Sequence, residues 1–164
     1  MNTYDRIFGA GPRGALISFA LLVVAWYLED VVGLPRISES LFIRGSVFVL
    51  TIIASMILIA WSVKSLPPNS RGRELVTSGA YKYFRHPLYA AFLSCFNFGL
   101  AVFLNNWIYV IWAVMLHGVW HWNIGSEEKL MCREFPKEYM EYSKKTGRYV
   151  PKIQSLQHSK LIGS

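Results

Sequence analysis

Charged and uncharged positions divide this chain into long blocks. A first apolar run extends from Gly14 to Leu28, and Val31 to Leu34 can prolong it past Glu29 and Asp30. A second, Gly45 to Val63, contains no charge and has close to the ~20 residues a helix needs to cross a bilayer. A polar connection follows, "KSLPPNSRGRELVTSGAYKYFR". From His86 to Ser126 there is again no Asp, Glu, Lys or Arg, over about twice the length of one span. "LNNW" at 104–107 marks a turn in its middle, because Asn favours turn conformations. The pattern predicts an all-α integral membrane protein with four transmembrane helices, the last two forming a tight hairpin. The expected organisation is one domain over 1–164: two N-terminal helices (1–66), a connection (67–87), the hairpin (88–124) and a tail (125–164).

Beyond the hairpin the pattern changes. "SEEKLMCREFPKEYMEYSKKTGRYVP" interleaves charges with Leu130, Met131, Phe135, Tyr139, Met140 and Tyr142. Pro136 is expected to split it into two short helices, with Gly147 and Pro151 ending the second. Such a segment is either an amphipathic helix lying on the bilayer or a cap over a site.

Composition supports the membrane reading: the 164 residues are 53% hydrophobic and 16% charged, with mean hydropathy +0.30, against about 25% charged in a soluble domain. The net charge of +7 reads as membrane-flanking loops and not as a nucleic-acid surface. Arg6 and Arg13 precede the first helix; the connection holds Lys64, Arg71, Arg73, Lys82 and Arg85 against Glu74; and the tail holds eight Lys or Arg. Residues 29–44 carry two basic and three acidic groups. With four spans, the positive-inside rule puts both termini and the connection in the cytoplasm of a prokaryotic cell or on the cytoplasmic side of the endoplasmic reticulum. The first run resembles a signal peptide but lacks a small-residue cleavage site, and it reads as a retained span. Cys95 and Cys132 offer no disulfide framework.

Three clusters carry the candidate chemistry: Tyr81 to Tyr89, with Lys82, Arg85, His86 and Pro87; Glu127 and Glu128; and Tyr139, Tyr142, Arg148 and Tyr149. Each also has a plainer explanation. Pro87 suits the first turn of a helix, Lys82 and Arg85 can snorkel to lipid phosphates, the tyrosines can form an interfacial belt, and the glutamates can complement a helix N-terminus. His117 and His121 share a helix face, and Glu128 falls near it. Two histidines and one carboxylate are too few for a membrane di-iron centre, so no metal is expected; the preferred readings are a polar bundle interior or a wall facing substrate, with His121 and Trp122 as the substrate-binding candidates.

Taken in order, Gly79, Tyr81, Arg85, His86, Pro87, Tyr89, Glu127, Glu128, Leu130, Phe135, Tyr139, Tyr142, Arg148 and Pro151 resemble the pattern of the isoprenylcysteine carboxyl methyltransferases and phospholipid methyltransferases. The likeness covers about the last half of the chain. Pro136 stands where that family usually has Gly, and Pro cannot take a positive φ. The resemblance implies S-adenosylmethionine as cofactor, bound by Tyr81, Arg85, His86, Pro87, Tyr89, Glu127, Glu128, Tyr139 and Tyr142. Arg85 or His86 would grip its carboxylate, Glu127 or Glu128 its ammonium or ribose hydroxyls, and the tyrosines its adenine or sulfonium. Arg148 and Glu128 are the catalytic candidates: Arg148 to neutralise an anionic substrate group, Glu128 (or His121) as base for an amine. The expected substrate is lipophilic or prenylated, first the carboxylate of an isoprenylcysteine, with phospholipid amines, small thiols and a sterol-type reductase using NADPH as alternatives. Oligomeric state is not legible.

Overall fold

In the computed structural model, which describes residues 11–67 and 74–152, the first apolar run forms α1, Gly11–Val32. It runs past Glu29 and Asp30, as the pattern allowed, with both in its last turn; Gly33, at φ 64°, closes it with its N–H on the Glu29 carbonyl at 3.1 Å. The second run is α2, Leu41–Ser65. It starts before Gly45 because Ser40 initiates it: the Ile43 N–H donates to the Ser40 hydroxyl at 3.3 Å. Arg44, the one charge this adds near the start, donates from Nη1 to the Phe103 carbonyl at 2.9 Å.

The hairpin is built as its sequence predicts. The helix Pro87–Leu104 (α3) ends at Asn105, which adopts φ 66°. Its side-chain oxygen accepts from the N–H groups of Ile37 and Ser38 at 3.2 and 2.9 Å. Asn106 then caps α4, Trp107–Asn123, by accepting from the Ile108 N–H at 2.9 Å, and its amide donates to the Leu34 carbonyl at 3.1 Å. What the sequence did not announce is a π-helical turn, Ala91–Phe96, inside α3. A π turn frees carbonyls from the regular ladder, and the Ala91 carbonyl accepts from the Ser55 hydroxyl at 3.1 Å.

The tail forms α5, Gly125–Glu134, and α6, Pro136–Lys145, with the break at the predicted place. Pro136 is the first residue of α6, where its missing N–H costs nothing. Pro136 therefore has helical backbone and needs no left-handed conformation, and Phe135 before it makes the turn at φ −131°. Among the described residues there is no strand.

Two compact units emerge, 1–49 with 97–130 and 50–96 with 131–164. In the first, α1 packs along α4. The Trp120 indole N–H donates to the Ser18 hydroxyl at 2.9 Å, and that of Trp112 to the Ser18 carbonyl at 3.2 Å. Outward faces are apolar: Leu16, Phe42 and Val114 are 71, 83 and 67% exposed. Large exposed apolar area of this kind is what a bilayer covers. Among the described residues three helices, α1, α2 and α3, are long and apolar enough to cross a membrane. The expected fourth, α4, has 17 residues, which at 1.5 Å per residue spans about 25 Å. Of the charges behind the predicted orientation, Arg6, Arg71, Arg73 and Lys160 lie outside the described residues.

Candidate functional site

The second unit joins two stretches that lie some sixty residues apart in sequence. At the end of α2 the chain re-enters as a 3₁₀ turn, Gly79–Lys82. Gly79 has φ 60°, and a Cβ there would overlap the Ser65 hydroxyl. That hydroxyl donates to the Trp61 carbonyl at 2.7 Å and accepts from the Ala80 N–H at 3.0 Å. The chain then passes Phe84, which forms a β-bridge, and bends at Arg85 and His86 before Pro87 starts α3.

The other stretch follows α6. Thr146, with extended backbone, leads into Gly147, which forms a parallel bridge with Phe84. The Arg85 N–H donates to the Gly147 carbonyl at 2.7 Å and the His86 N–H to the Arg148 carbonyl at 3.2 Å. Side chains complete the closure: the Tyr142 hydroxyl donates to the Tyr81 carbonyl at 2.6 Å and more weakly to that of Phe84 at 3.4 Å, and the Thr146 hydroxyl to the Lys82 carbonyl at 3.3 Å. Gly147 is buried, and a Cβ on it would overlap the Val150 carbonyl. Only Gly permits so close a backbone approach.

Around this seam lie the predicted cofactor residues of the loop and the tail. His86 stacks on Tyr89 with centroids 5.7 Å apart, and Tyr139 meets Tyr142 edge-on at 6.0 Å. The Arg85 Nε, the His86 Nε2 and the hydroxyls of Tyr139 and Tyr149 are all buried polar atoms. The Tyr142 phenol is pushed far up, first by burial and then by neighbouring Tyr139, against the pull of the Arg85 charge, with Tyr81 adding a little. It is therefore a donor throughout the physiological range. Lys82 lies over the Tyr83 ring, 5.9 Å from its centroid. An aromatic-walled, guanidinium-bearing site of this kind can bind a carboxylate by charge-assisted hydrogen bonds and a cation by its ring faces.

The remaining predicted residues belong to the first unit. Glu127 and Glu128 occupy the first turn of α5, where carboxylates suit the helix dipole; Glu128 is 8% exposed. His121 and Trp122 are exposed near the end of α4, and Arg13 lies over the Trp122 ring at 5.5 Å. The ring nitrogen Nδ1 of His117 is 3.0 Å from the Ala113 carbonyl on its own helix. Sequence reading missed the seam's own fastenings. Ser65 and Thr146 carry no signal by type. Gly147 read only as a helix stop, whereas its burial comes from the pairing with Phe84.

Long apolar helices, and a motif loop closed by a tail helix, define a helical membrane protein. The sequence profile of phospholipid methyltransferases matches residues 36–138, more than half of the chain, and the chain belongs to that family. No curated protein matches it. Methyltransferases of this family generally use S-adenosylmethionine. The matched residues include Tyr81–Tyr89 and the two glutamates but stop before Tyr139; Tyr142, Gly147 and Arg148 are tied to the matched loop by the hydrogen bonds described above.

Proposed function

We propose that the protein is a four-pass integral membrane enzyme, with both termini in the cytoplasm, that transfers a methyl group from S-adenosylmethionine to a lipophilic acceptor. The observation that carries this is the seam. The stretch beyond the family match, from Tyr139 on, is hydrogen-bonded onto the Tyr81–Tyr89 loop, so that Arg85, His86, Tyr89, Tyr139 and Tyr142 share one unit.

The donor set suits the cofactor's chemistry. S-adenosylmethionine supplies an electrophilic methyl group on a cationic sulfur. Arg85, with His86 beside it, holds a carboxylate; Tyr81, Tyr89, Tyr139 and Tyr142 offer ring faces to an adenine or a sulfonium. Pro87 fixes the direction in which His86 leaves the helix. Glu127 and Glu128 keep the role their motif implies, accepting from an ammonium or from ribose hydroxyls. Arg148 neutralises an anionic acceptor group. The chain's main contribution to rate is alignment and exclusion of water.

For the acceptor, the tail motif favours the carboxylate of an isoprenylcysteine, which needs no base. The family match favours a second reading, a phospholipid amine, for which Glu128 or His121 would take the proton. Saturable binding of radiolabelled S-adenosylmethionine, and none of NADPH, by detergent-purified protein is the expected result. No saturable binding of S-adenosylmethionine sinks the proposal, and binding of NADPH alone would point to a sterol-type reductase. Arg85→Ala should weaken cofactor binding at least tenfold, the order expected for losing a charge-assisted pair. Farnesylcysteine, phosphatidylethanolamine and a short thiol, compared as acceptors, separate the substrate readings.

A further inference from the structure

The first unit contains a cavity of about 300 Å3 between α1 and α4, with almost no polar lining. Its floor is buried, formed by Ala25, Ile108 and Trp112 at 5, 7 and 5% exposure. Its rim, Val24, Val32 and Met115, is half exposed and opens the groove outward. An apolar space with a half-exposed apolar rim suits a hydrocarbon chain.

What stands at the end of the groove is charged. Glu29 lies four residues after Ala25 and three before Val32, and so borders the same helix face. Its carboxylate accepts from the Tyr109 hydroxyl at 2.6 Å, beside floor residue Ile108. Asp30 follows, exposed. The last turn of α1 contains no basic residue, so both carboxylates add to the negative helix end. The nearby cations are engaged elsewhere: Arg36 with Glu39 at 3.7 Å, Arg44 with the Phe103 carbonyl. Depth is marked independently by exposed aromatics of the same unit. Trp26, Tyr27 and Trp107 are 68, 72 and 48% exposed, and such rings settle at headgroup level.

We infer that this groove seats one chain of a bilayer lipid whose headgroup ammonium is held by Glu29 and Asp30. Charge complementarity selects an amine-bearing lipid over an anionic one. The inference does not rest on the methyl-transfer reading: it concerns α1 and α4, not the seam.

The test is native mass spectrometry of the full chain titrated with dioleoyl phosphatidylethanolamine and, separately, dioleoyl phosphatidylglycerol. The wild type should hold the amine lipid more tightly, by up to about fivefold for a solvent-accessible pair. The double variant Glu29→Gln/Asp30→Asn, which keeps an acceptor for Tyr109, should lose that preference while still binding both lipids. Ala25→Leu fills the floor and should weaken both lipids about tenfold, the cost of overpacking a site of this kind. Equal affinity for the two lipids in the wild type overturns the headgroup assignment. A correctly folded Ala25→Leu protein that binds as the wild type does overturns the groove. Should Ala25→Leu fail to fold, an unchanged preference in the double variant still refutes the inference.

Discussion

Removing one oxygen tests whether the tail secures the loop. Tyr142→Phe deletes the hydroxyl that donates to the Tyr81 carbonyl at 2.6 Å and keeps the ring that meets Tyr139. If Tyr142 is only an aromatic wall of the cofactor site, the variant should bind as the wild type does. If it is also a fastening, two losses add: the net worth of the bond, about 1 kcal/mol, and the cost of a half-buried carbonyl without its donor, up to about 2 kcal/mol more. A seam weakened by about 1–3 kcal/mol predicts a cofactor affinity lowered roughly 5- to 150-fold where binding requires the closed seam. The assay is equilibrium binding of labelled S-adenosylmethionine with a parallel thermal melt in detergent. The pH dependence gives a second check. The folded phenol titrates well above its ordinary value, so its stabilisation is complete below the unfolded pKa of about 10 and declines as pH rises beyond it. The stability difference between wild type and variant should therefore be constant from pH 6 to 9 and shrink above about pH 10. Unchanged affinity and melting in Tyr142→Phe would refute the fastening role.

Other perturbations probe the same architecture. Gly147→Ala drives a methyl group into the Val150 carbonyl; it should part the Phe84 bridge and abolish cofactor binding while leaving helix content by circular dichroism near wild type, and normal binding would show that the close approach is dispensable. Asn106→Ala removes the α4 cap and the bond to the Leu34 carbonyl, at a cost of about 1–2 kcal/mol in a detergent melt, with cofactor affinity unaffected. Ser65→Ala leaves the Ala80 N–H without its acceptor and should lower cofactor affinity several-fold, about 1 kcal/mol; no change would place the 3₁₀ turn outside the site.

The elements were largely legible because their signals are local. A single long apolar run in a bilayer satisfies its backbone polar groups as a helix, so the middles of α1, α2 and α3 follow from their uncharged runs, with charged residues only near the ends of α1 and α2. The Asn105–Asn106 turn and the Pro136 break were equally legible, since Asn and Pro restrict their own backbone whatever surrounds them. Even the candidate residues of the loop and tail could be chosen by type and order. What one dimension did not contain was their pairing. That Thr146–Arg148 would lie against Phe84–His86 depends on backbone groups, which every residue has and no sequence pattern marks. The same holds for the π turn of α3, where Ser55 meets a carbonyl 36 residues away, and for Gly147, whose need for Gly arises only once Val150 folds over it. The sequence by itself determined which segments are long and apolar enough to cross a membrane and which side-chain types can pair with an anion or offer a ring face to a cation. The tertiary structure decided that the loop and the tail lie against one another, because close approach and hydrogen bonding between distant segments are properties of the folded chain alone.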